Sequence, residues 1–427
     1  MLTAMPTASP PPSSQARPAP RDRGDACPGT LRLHAADDGA LARIRIPGGV
    51  LTTRQAEALG CAARRLGDGD VHLTSRGNVQ LRGLRAGCGA ELAEVLDTAG
   101  LLPSWDHERV RNVVASPLSG LDGVGRQDVR PWLTALDTVL CANEAATELS
   151  GRFLFALDDG RGDVSGLGAD VTVRAIEDGG AWLTPGAVRV AAGDAARAAL
   201  AAAEAFLEAA RSHGTKAWRV SELALSDEEM AHLVRRRLAA ERIDHQEHPE
   251  PTGVTGGPRL GLVGDALSVH VPLGRLTPHQ WEALTQVAGI EMRLTPWRGV
   301  VVPTPDLTAE LAAASLDRLA AAGLVTEPGS AWLRVGACIG RPGCAKAHRD
   351  VRADAARTLD AGNSAGPSLY WSGCERRCGR PHGEHIDIIA TPGGGYQLSA
   401  TAPGQNTRTL SVGDPSRIRA ALAAITS

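Results

Sequence analysis

The sequence predicts a duplicated α+β protein in which a small unit and a larger α/β unit follow one another twice. Two observations support this. The stretch IRIPGGVLT at 44–52 returns as VHVPLGRLT at 269–277, and HLTSRGNVQL at 72–81 returns as MRLTPWRGVVV at 292–302. A repeat this long indicates duplicated domains rather than a solenoid. Chance similarity between two broken strands is the alternative, and it is disfavoured because both matches occur in the same order.

Composition describes a globular protein without a strongly charged partner. Hydrophobic residues make up 43% and charged residues 22% of 427 residues, and the formal net charge is −3. This length favours roughly two to four domains. The charge balance gives no support for a nucleic acid or a membrane surface as partner. No apolar run approaches a membrane span, and we expect a cytoplasmic protein with reduced thiols.

The chain begins with a segment that cannot form a core. Residues 1–26 are rich in Pro, Ser and Ala, so we predict a disordered tail. Residues 27–90 form the first small unit, because apolar and polar residues alternate on both sides of a helical stretch. Thr52 or Thr53 is predicted to cap this helix, which runs to about Leu66.

The remaining chain divides in the same way. Residues 105–245 are predicted to be the first α/β domain, with a strand at 152–159 and Ala-rich helical periodicity later. Residues 258–325 are the second small unit. Residues 330–427 are the second α/β domain.

Two cysteine pairs lie in the last domain. Cys338 and Cys344 form a C-x5-C pair, and Cys374 and Cys378 form a C-x3-C pair, each within a Gly-flanked turn. Glycines let the backbone come close and direct N–H groups at sulfur. Four converging thiolates suit a [4Fe–4S] cluster. Zinc is an alternative, although its cysteines are usually spaced by two to four residues, and unligated buried thiols are another.

This spacing resembles the cluster signature of the sulfite and nitrite reductase superfamily. The resemblance covers the chain from about residue 27. It implies two ferredoxin-like half domains packed together, two flanking α/β domains, and a [4Fe–4S] cluster on the four cysteines of the second. In the reductases of this superfamily the last cysteine also bridges to the iron of a sirohaem.

Four arginines are candidate substrate-binding residues. Arg76 in TSRGNVQL and Arg111 in VRNVVASPL resemble superfamily arginines that contact the tetrapyrrole or the substrate on its iron. Arginine forks bind carboxylates bidentately, and a uroporphyrin-derived macrocycle carries a rim of carboxylates. With Arg152 and Arg298 they are predicted to clamp that rim. The alternative for each is a solvated surface arginine.

One departure from the reductase pattern indicates a particular branch. The reductases carry two lysines in a motif read as LPRKFK, whereas this chain has LSGRFLF at 149–155. Arg152 replaces one lysine, but the other position is Leu154. Reducing a small inorganic anion needs protons and positive charge at the iron, so Leu154 argues against that reaction. Together with LTPWRGV at 294–300 and SGCERRCGRPHGEH at 372–385, this pattern resembles the precorrin-3B synthase branch.

The branch implies a reaction and partners. Precorrin-3A would be hydroxylated with dioxygen and closed to a lactone in aerobic cobalamin biosynthesis. Because no G-x-G-x-x-G opens a helix after a strand, electrons are expected from NADH through a separate reductase or ferredoxin. The resemblance also suggests a mononuclear non-haem iron. His382, Glu384 and His385 are candidate ligands, since two histidines and a carboxylate suit oxygen activation. They could equally be ordinary loop residues.

Two other functions remain open from the sequence. The chain could be a sirohaem-dependent sulfite or nitrite reductase, which would add sirohaem as cofactor. It could also be a non-enzymatic iron–sulfur or zinc module, although the duplicated domains and the Arg76 motif disfavour this.

Overall fold

The structure, a computed structural model, describes residues 28–359, 366–381, 384–400 and 408–426. The predicted disordered tail, 1–26, lies outside the described residues. Within these ranges, no helix combines the length and apolar character needed to cross a membrane.

Helices and strands alternate along the whole chain. The first small unit contains β1 (His34–Ala36), β2 (Gly39–Ile44), β3 (Val50–Thr52), α1 (Thr53–Leu66), β4 (Val71–Leu73), β5 (Val79–Leu84) and α2 (Gly89–Thr98). The first large unit contains β6 (Val113–Ala115), α3 (Arg130–Ala142), β7 (Phe155–Asp158), β8 (Val171–Ala175), β9 (Gly180–Thr184), β10 (Val188–Ala191), α4 (Ala195–Ser212), α5 (Asp227–Ala240) and β11 (His245–Glu247). The second small unit contains β12 (Gly261–Val263), β13 (Ala266–His270), β14 (Arg275–Leu276), α6 (Pro278–Val287), β15 (Glu291–Leu294), β16 (Gly299–Pro303) and α7 (Ala309–Ala321). The second large unit contains β17 (Val335–Ala337), α8 (Val351–Thr358), β18 (Leu369–Ser372), β19 (Ile386–Ala390), β20 (Tyr396–Ala400), β21 (Arg408–Val412) and α9 (Ile418–Thr426).

The two small units exchange a strand. One sheet has the order β1-β2-β5-β4-β14 and the other β12-β13-β16-β15-β3. Each sheet therefore ends on an edge strand supplied by the other unit. Arg275 on β14 pairs with His72, and Val50 on β3 pairs with Arg293. Buried residues of both units form one continuous hydrophobic core, so the two repeats fold as a single body.

Equivalent caps start the first helix of each small unit. Thr52 and Gln55 form a reciprocal capping box at α1, and Thr277 and Gln280 form the same box at α6. Each box satisfies backbone donors that a helix start leaves unpaired. The predicted cap at Thr52 and the predicted end of α1 at Leu66 are confirmed.

The two large units share a topology as well. One sheet has the order β11-β10-β9-β8-β7-β6, and the other β17-β18-β19-β20-β21. In both, the first three strands in chain order are parallel and the following ones antiparallel. The fold is therefore α+β with duplicated small and large units, as the sequence predicts.

The residue that follows the first parallel strand is held in the same way in both large units. Ser116 follows β6, and its Oγ accepts a hydrogen bond from the Asp159 amide at 3.1 Å. Cys338 follows β17, and its Sγ accepts one from the Gly373 amide at 3.1 Å. The duplication thus places an oxygen in one unit where it places a sulfur in the other.

An ion network fills this corner of the first large unit. The Arg161 guanidinium bridges Asp122 and Asp159, with N···O distances of 2.7 Å to each. The Ser116 hydroxyl donates to Asp163 at 2.6 Å. The corresponding corner of the second large unit carries the cysteines.

Candidate functional site

The four cysteines lie in two loops at one edge of the second large sheet. Cys338 follows β17 directly, and Cys374 and Cys378 follow β18. Because β17 and β18 are parallel, their carboxyl ends meet at the same edge. Cys344 lies further along the first loop. The predicted ligand loops are therefore adjacent in space.

The first cysteine loop is fastened to the first small unit. Arg82 donates to the Gly343 carbonyl at 2.9 Å, and the Ala345 amide donates to Asp37 at 2.5 Å. Arg82 is itself held by both carboxylate oxygens of Asp38 at 2.8 Å. The position of this loop thus depends on the first small unit, from which these contacts are separated by 261 and 308 residues in sequence.

Cys338 lies in surroundings that disfavour a lone thiolate. Burial raises the pKa of the Cys338 thiol, and the nearby Cys378 and Cys374 raise it further, while amides of Gly373 and Gly340 oppose the shift. A bound metal reverses this balance because coordination deprotonates the thiol.

Glycines bring the two loops together. A Cβ on Gly373 would lie 2.5 Å from the Cβ of Ala347, and Gly340 has a φ of 66° with Val351 against it. Only glycine permits both the close approach and the left-handed backbone without strain. Its amides can then point at sulfur.

Four thiolates are a donor set that an iron–sulfur cluster and zinc can both use, but at different sulfur spacings. In the described part of the chain, the groups of three ligands whose atoms lie within 4.8 Å of one another contain no cysteine. Tetrahedral zinc, with Zn–S bonds of about 2.3 Å, would hold its sulfurs about 3.8 Å apart. A [4Fe–4S] cluster binds each thiolate at a different iron and so needs a wider spacing.

A cavity of about 950 Å³ opens beside the cysteine loops. Its walls come from both small units and both large units. Its volume is at the upper end of the range for small-molecule sites. Five arginines line it, namely Arg76, Arg219, Arg298, Arg334 and Arg380.

Arg76 is a half-buried cation on this wall. Burial, followed by the charges of Arg219, Arg45 and Arg43, lowers the pKa of Arg76 to about 10, and Asp170 only partly offsets this. Within the described residues, the Arg76 guanidinium makes no hydrogen bond or ion pair. It therefore suits an anionic group of a ligand.

Arg298 faces the cavity from a turn of the second small unit. Its φ of 57° is left-handed, and it occupies the turn position that Gly77 holds in the first. The hydrogen bonds match, since Gly77 donates to Thr74 and Arg298 to Thr295. A left-handed conformation costs a non-glycine residue roughly 1–2 kcal/mol. Strain of this kind is common where a side chain must face a ligand.

Sequence reasoning missed three of the cavity arginines. Arg219 is paired with Asp170 at 2.5 Å and lies beyond α4, outside any recognisable motif. Arg334 precedes β17, and Arg380 follows the last cysteine. Arginine is so common in this chain that no residue pattern distinguishes these three. Only their place on the cavity wall does.

Comparison with known proteins agrees with this geometry. The profile of the nitrite/sulfite reductase ferredoxin-like half domain matches residues 34–98. A precorrin-3B synthase from Sinorhizobium sp. is 27% identical over 401 residues, which cover 90% of this chain and 84% of that protein. A ferredoxin–nitrite reductase from Synechococcus elongatus is 27% identical over 398 residues, covering 82% of this chain and 76% of the relative. The chain is thus similar to proteins of the nitrite/sulfite reductase superfamily.

The fold agrees as well. The structure of the Mycobacterium tuberculosis NirA protein superposes with a TM-score of 0.69 at 20% identity, covering 89% of this chain and 79% of that one. This likeness shows the superfamily fold. The relatives are oxidoreductases, and the match in fold does not separate the branches.

Arg111 does not reach the cavity. Its guanidinium binds both carboxylate oxygens of Asp137 at 2.7 Å and the Leu101 carbonyl at 3.0 Å. Asp137 and Leu101 hold this buried guanidinium away from the cavity, so its placement does not support the substrate-binding role predicted from the superfamily motif. Asp137 lies on α3, 26 residues away, and the motif match could not reveal it.

Arg152 also lies away from the cavity wall. It is exposed, and its guanidinium stacks over Trp218 at 4.7 Å from the ring centre. The structure therefore gives it a surface contact instead of the predicted place in the arginine clamp.

Two of the three candidate iron ligands, Glu384 and His385, lie in the described residues. His382 lies outside the described residues, and Glu384 is exposed. The His385 Nε2 is 3.0 Å from the Arg380 Nε and 3.3 Å from an Asp387 oxygen. Both partners approach Nε2, and no group of three ligands found in the described ranges includes His385.

Leu154 lines the cavity, at the position where the resemblance to the reductase motif would place a lysine. It is 2% exposed and packs with Val114, Ala156 and Val164, with Trp297 beside them. This part of the wall is apolar and offers neither a proton nor a positive charge.

Proposed function

We propose that this chain is an oxygen-dependent tetrapyrrole monooxygenase of the precorrin-3B synthase type. Its substrate would be precorrin-3A, bound in the large cavity with its carboxylates on the arginines. Sirohaem-dependent reduction of an inorganic anion is the second candidate, because a nitrite reductase is as similar in sequence to this chain as a precorrin-3B synthase is.

The unpaired cavity cations support this proposal most directly. Arg76 and Arg298 face one cavity, and neither has an ion pair within the described residues. Burying such cations without an anion is costly, so their arrangement suits a polycarboxylate ligand. Precorrin-3A is a ligand of this class and of adequate size.

The apolar wall around Leu154 favours a tetrapyrrole that is the substrate over a sirohaem that reduces a small anion. Leu154 leaves the cavity without the second lysine of the reductase motif. Six-electron reduction of nitrite or sulfite depends on such proton donors. Hydroxylation of a carbon framework does not need them at this position.

Four cysteines would hold the cluster beside the cavity. Cys338, Cys344, Cys374 and Cys378 fit a [4Fe–4S] cluster, which would supply one-electron transfer. The Tyr370 hydroxyl donates to the Cys378 carbonyl at 2.5 Å and lines the cavity, so it links the cysteine loop to the substrate wall.

The proposed reaction balances with one dioxygen and two electrons. One oxygen atom enters the substrate, the other leaves as water with two protons, and an acetate side chain closes the lactone. The chain would hold the carboxylate rim with Arg76 and Arg298 and exclude water at Leu154. Electrons would come from NADH through a separate reductase or ferredoxin.

Isotope incorporation tests the proposal. Anaerobically purified protein is mixed with precorrin-3A, a ferredoxin and its reductase, and ¹⁸O₂. We expect a product that carries one labelled oxygen and a lactone. Sirohaem absorption bands in the purified protein, together with viologen-driven reduction of nitrite or sulfite, would instead establish the second candidate.

A further inference from the structure

Arg352 places a positive charge directly against a cysteine loop. It lies on α8, and its Nε donates to the Cys338 carbonyl at 3.2 Å. Its Nη1 lies 3.4 Å from the Nδ1 of His72. Since a guanidinium only donates, Nδ1 is the acceptor and His72 is neutral. Burial also lowers the pKa of His72.

This charge has no carboxylate to neutralise it in the part of the chain that the structure describes. Two neighbouring arginines do have one, since Arg82 binds Asp38 and Arg275 binds Asp70. The two partners of Arg352 are a carbonyl and an uncharged imidazole, so its full charge acts on its surroundings.

Arg352 lies near three other arginines and near the Cys338 thiol. Burial, followed by the charges of Arg298, Arg275 and Arg82, lowers the pKa of Arg352 to about 10, while Cys338 opposes the shift. The guanidinium is still protonated at neutral pH. A carboxylate beside Arg352 would offset this unfavourable burial of charge, and none pairs with Arg352 in the described residues.

We propose that Arg352 is a positioning residue that raises the reduction potential of the cluster held by Cys338, Cys344, Cys374 and Cys378. The inference rests on the proposed cluster. Reduction adds one electron to the cluster, and a fixed cation in a poorly screened site stabilises the reduced form more than the oxidised form. His72 contributes by accepting a hydrogen bond without adding a negative charge.

A redox titration with matched variants tests this role. Full-length protein carrying its cluster is reduced with dithionite in the presence of mediator dyes, and the reduced cluster is counted by EPR. The variants are Arg352→Gln and Arg352→Met, which remove the charge, and Arg352→Lys, which keeps it. Arg357→Gln is the control, because Arg357 is on the same helix but is exposed and paired with Asp354.

At the potential where the wild-type cluster is half reduced, we expect the reduced-to-oxidised ratio to fall about tenfold in both neutral variants. That ratio corresponds to about 59 mV for a one-electron couple. Arg352→Lys should stay within about threefold of the wild type, and Arg357→Gln should match it.

Three other results would overturn the inference. An unchanged potential in both neutral variants would refute it while leaving the proposed function intact. Loss of the cluster from both neutral variants, measured as iron and sulfide, would show that Arg352 is needed for assembly instead. A wild-type protein that takes up no cluster would refute the cluster assignment and this role with it.

Discussion

Removing the charge of Arg76 should weaken ligand binding and stabilise the unliganded protein at the same time. The residue is a half-buried cation with three arginines around it, and the charge of Asp170 only partly offsets theirs. In Arg76→Gln the side chain keeps much of its length but loses the charge. The ligand then loses one carboxylate partner, and the free protein loses an unfavourable buried charge.

The two effects have estimable sizes. A sheltered charge-assisted hydrogen bond contributes roughly 1.5–3 kcal/mol, so the dissociation constant for a uroporphyrinoid should rise about 10- to 150-fold. A pKa lowered to about 10 indicates an environment that is unfavourable to the charge by up to roughly 3 kcal/mol. Removing the charge should recover part of this free energy, so Arg76→Gln should have a higher free energy of unfolding than the wild type.

Fluorescence-quenching titration with a uroporphyrinoid measures the first effect, and urea unfolding of the unliganded protein measures the second. Arg111→Gln is the contrasting variant, because it breaks the buried ion pair with Asp137. It should lose about 2–3 kcal/mol of stability and keep its affinity. Equal affinity in Arg76→Gln and the wild type would refute the assignment of Arg76 to the ligand site.

Three further expectations follow from the site and its surroundings. Cys338→Ser should lose bound iron and sulfide, whereas Cys141→Ser should keep both; retention of a full complement by Cys338→Ser would remove that cysteine from the ligand set. Leu154→Lys, like the wild type, should show no viologen-driven reduction of nitrite or sulfite, and turnover at the rate of a sirohaem reductase would contradict the branch assignment. Burial, opposed by Ser116, raises the pKa of Asp163 to about 7, so its stabilising contribution is present at low pH and is lost as pH rises towards 7. Between pH 5 and pH 8 the wild type should therefore lose roughly 2 kcal/mol relative to Asp163→Asn in urea unfolding, and parallel pH profiles would show that Asp163 does not titrate in this range.

Local signals in the sequence were sufficient for much of the fold. The capping threonine of α1 and the two repeated strand stretches depend on short-range chemistry, and the structure has the elements where the sequence predicts them. The exchange of β3 and β14 between the small units could not be read in the same way. Strand partners far apart in sequence are chosen by packing, which leaves no local residue pattern.

The arginines show the same limit at the candidate site. Arg76 and Arg111 both lie in stretches that resemble superfamily motifs, yet of these two only Arg76 lines the cavity. What separates them is a partner, since Asp137 captures Arg111 from another helix. Arg219 has no motif and still lines the cavity. Whether an arginine binds a ligand depends on the anions that the fold brings near it, and these are not encoded beside it in sequence.

Ser116 and Cys338 occupy equivalent positions in the two large units, and this equivalence has a consequence for how the protein matures. The first large unit closes its corner with groups present in the chain itself, through the Arg161 bridge between Asp122 and Asp159. Under the proposed ligand set, the equivalent corner of the second large unit closes only when iron and sulfide arrive. The first large unit would thus reach its final structure from the polypeptide alone, whereas the second large unit would need the cluster to do so. The supply of iron and sulfide would then determine when the second large unit completes its folding.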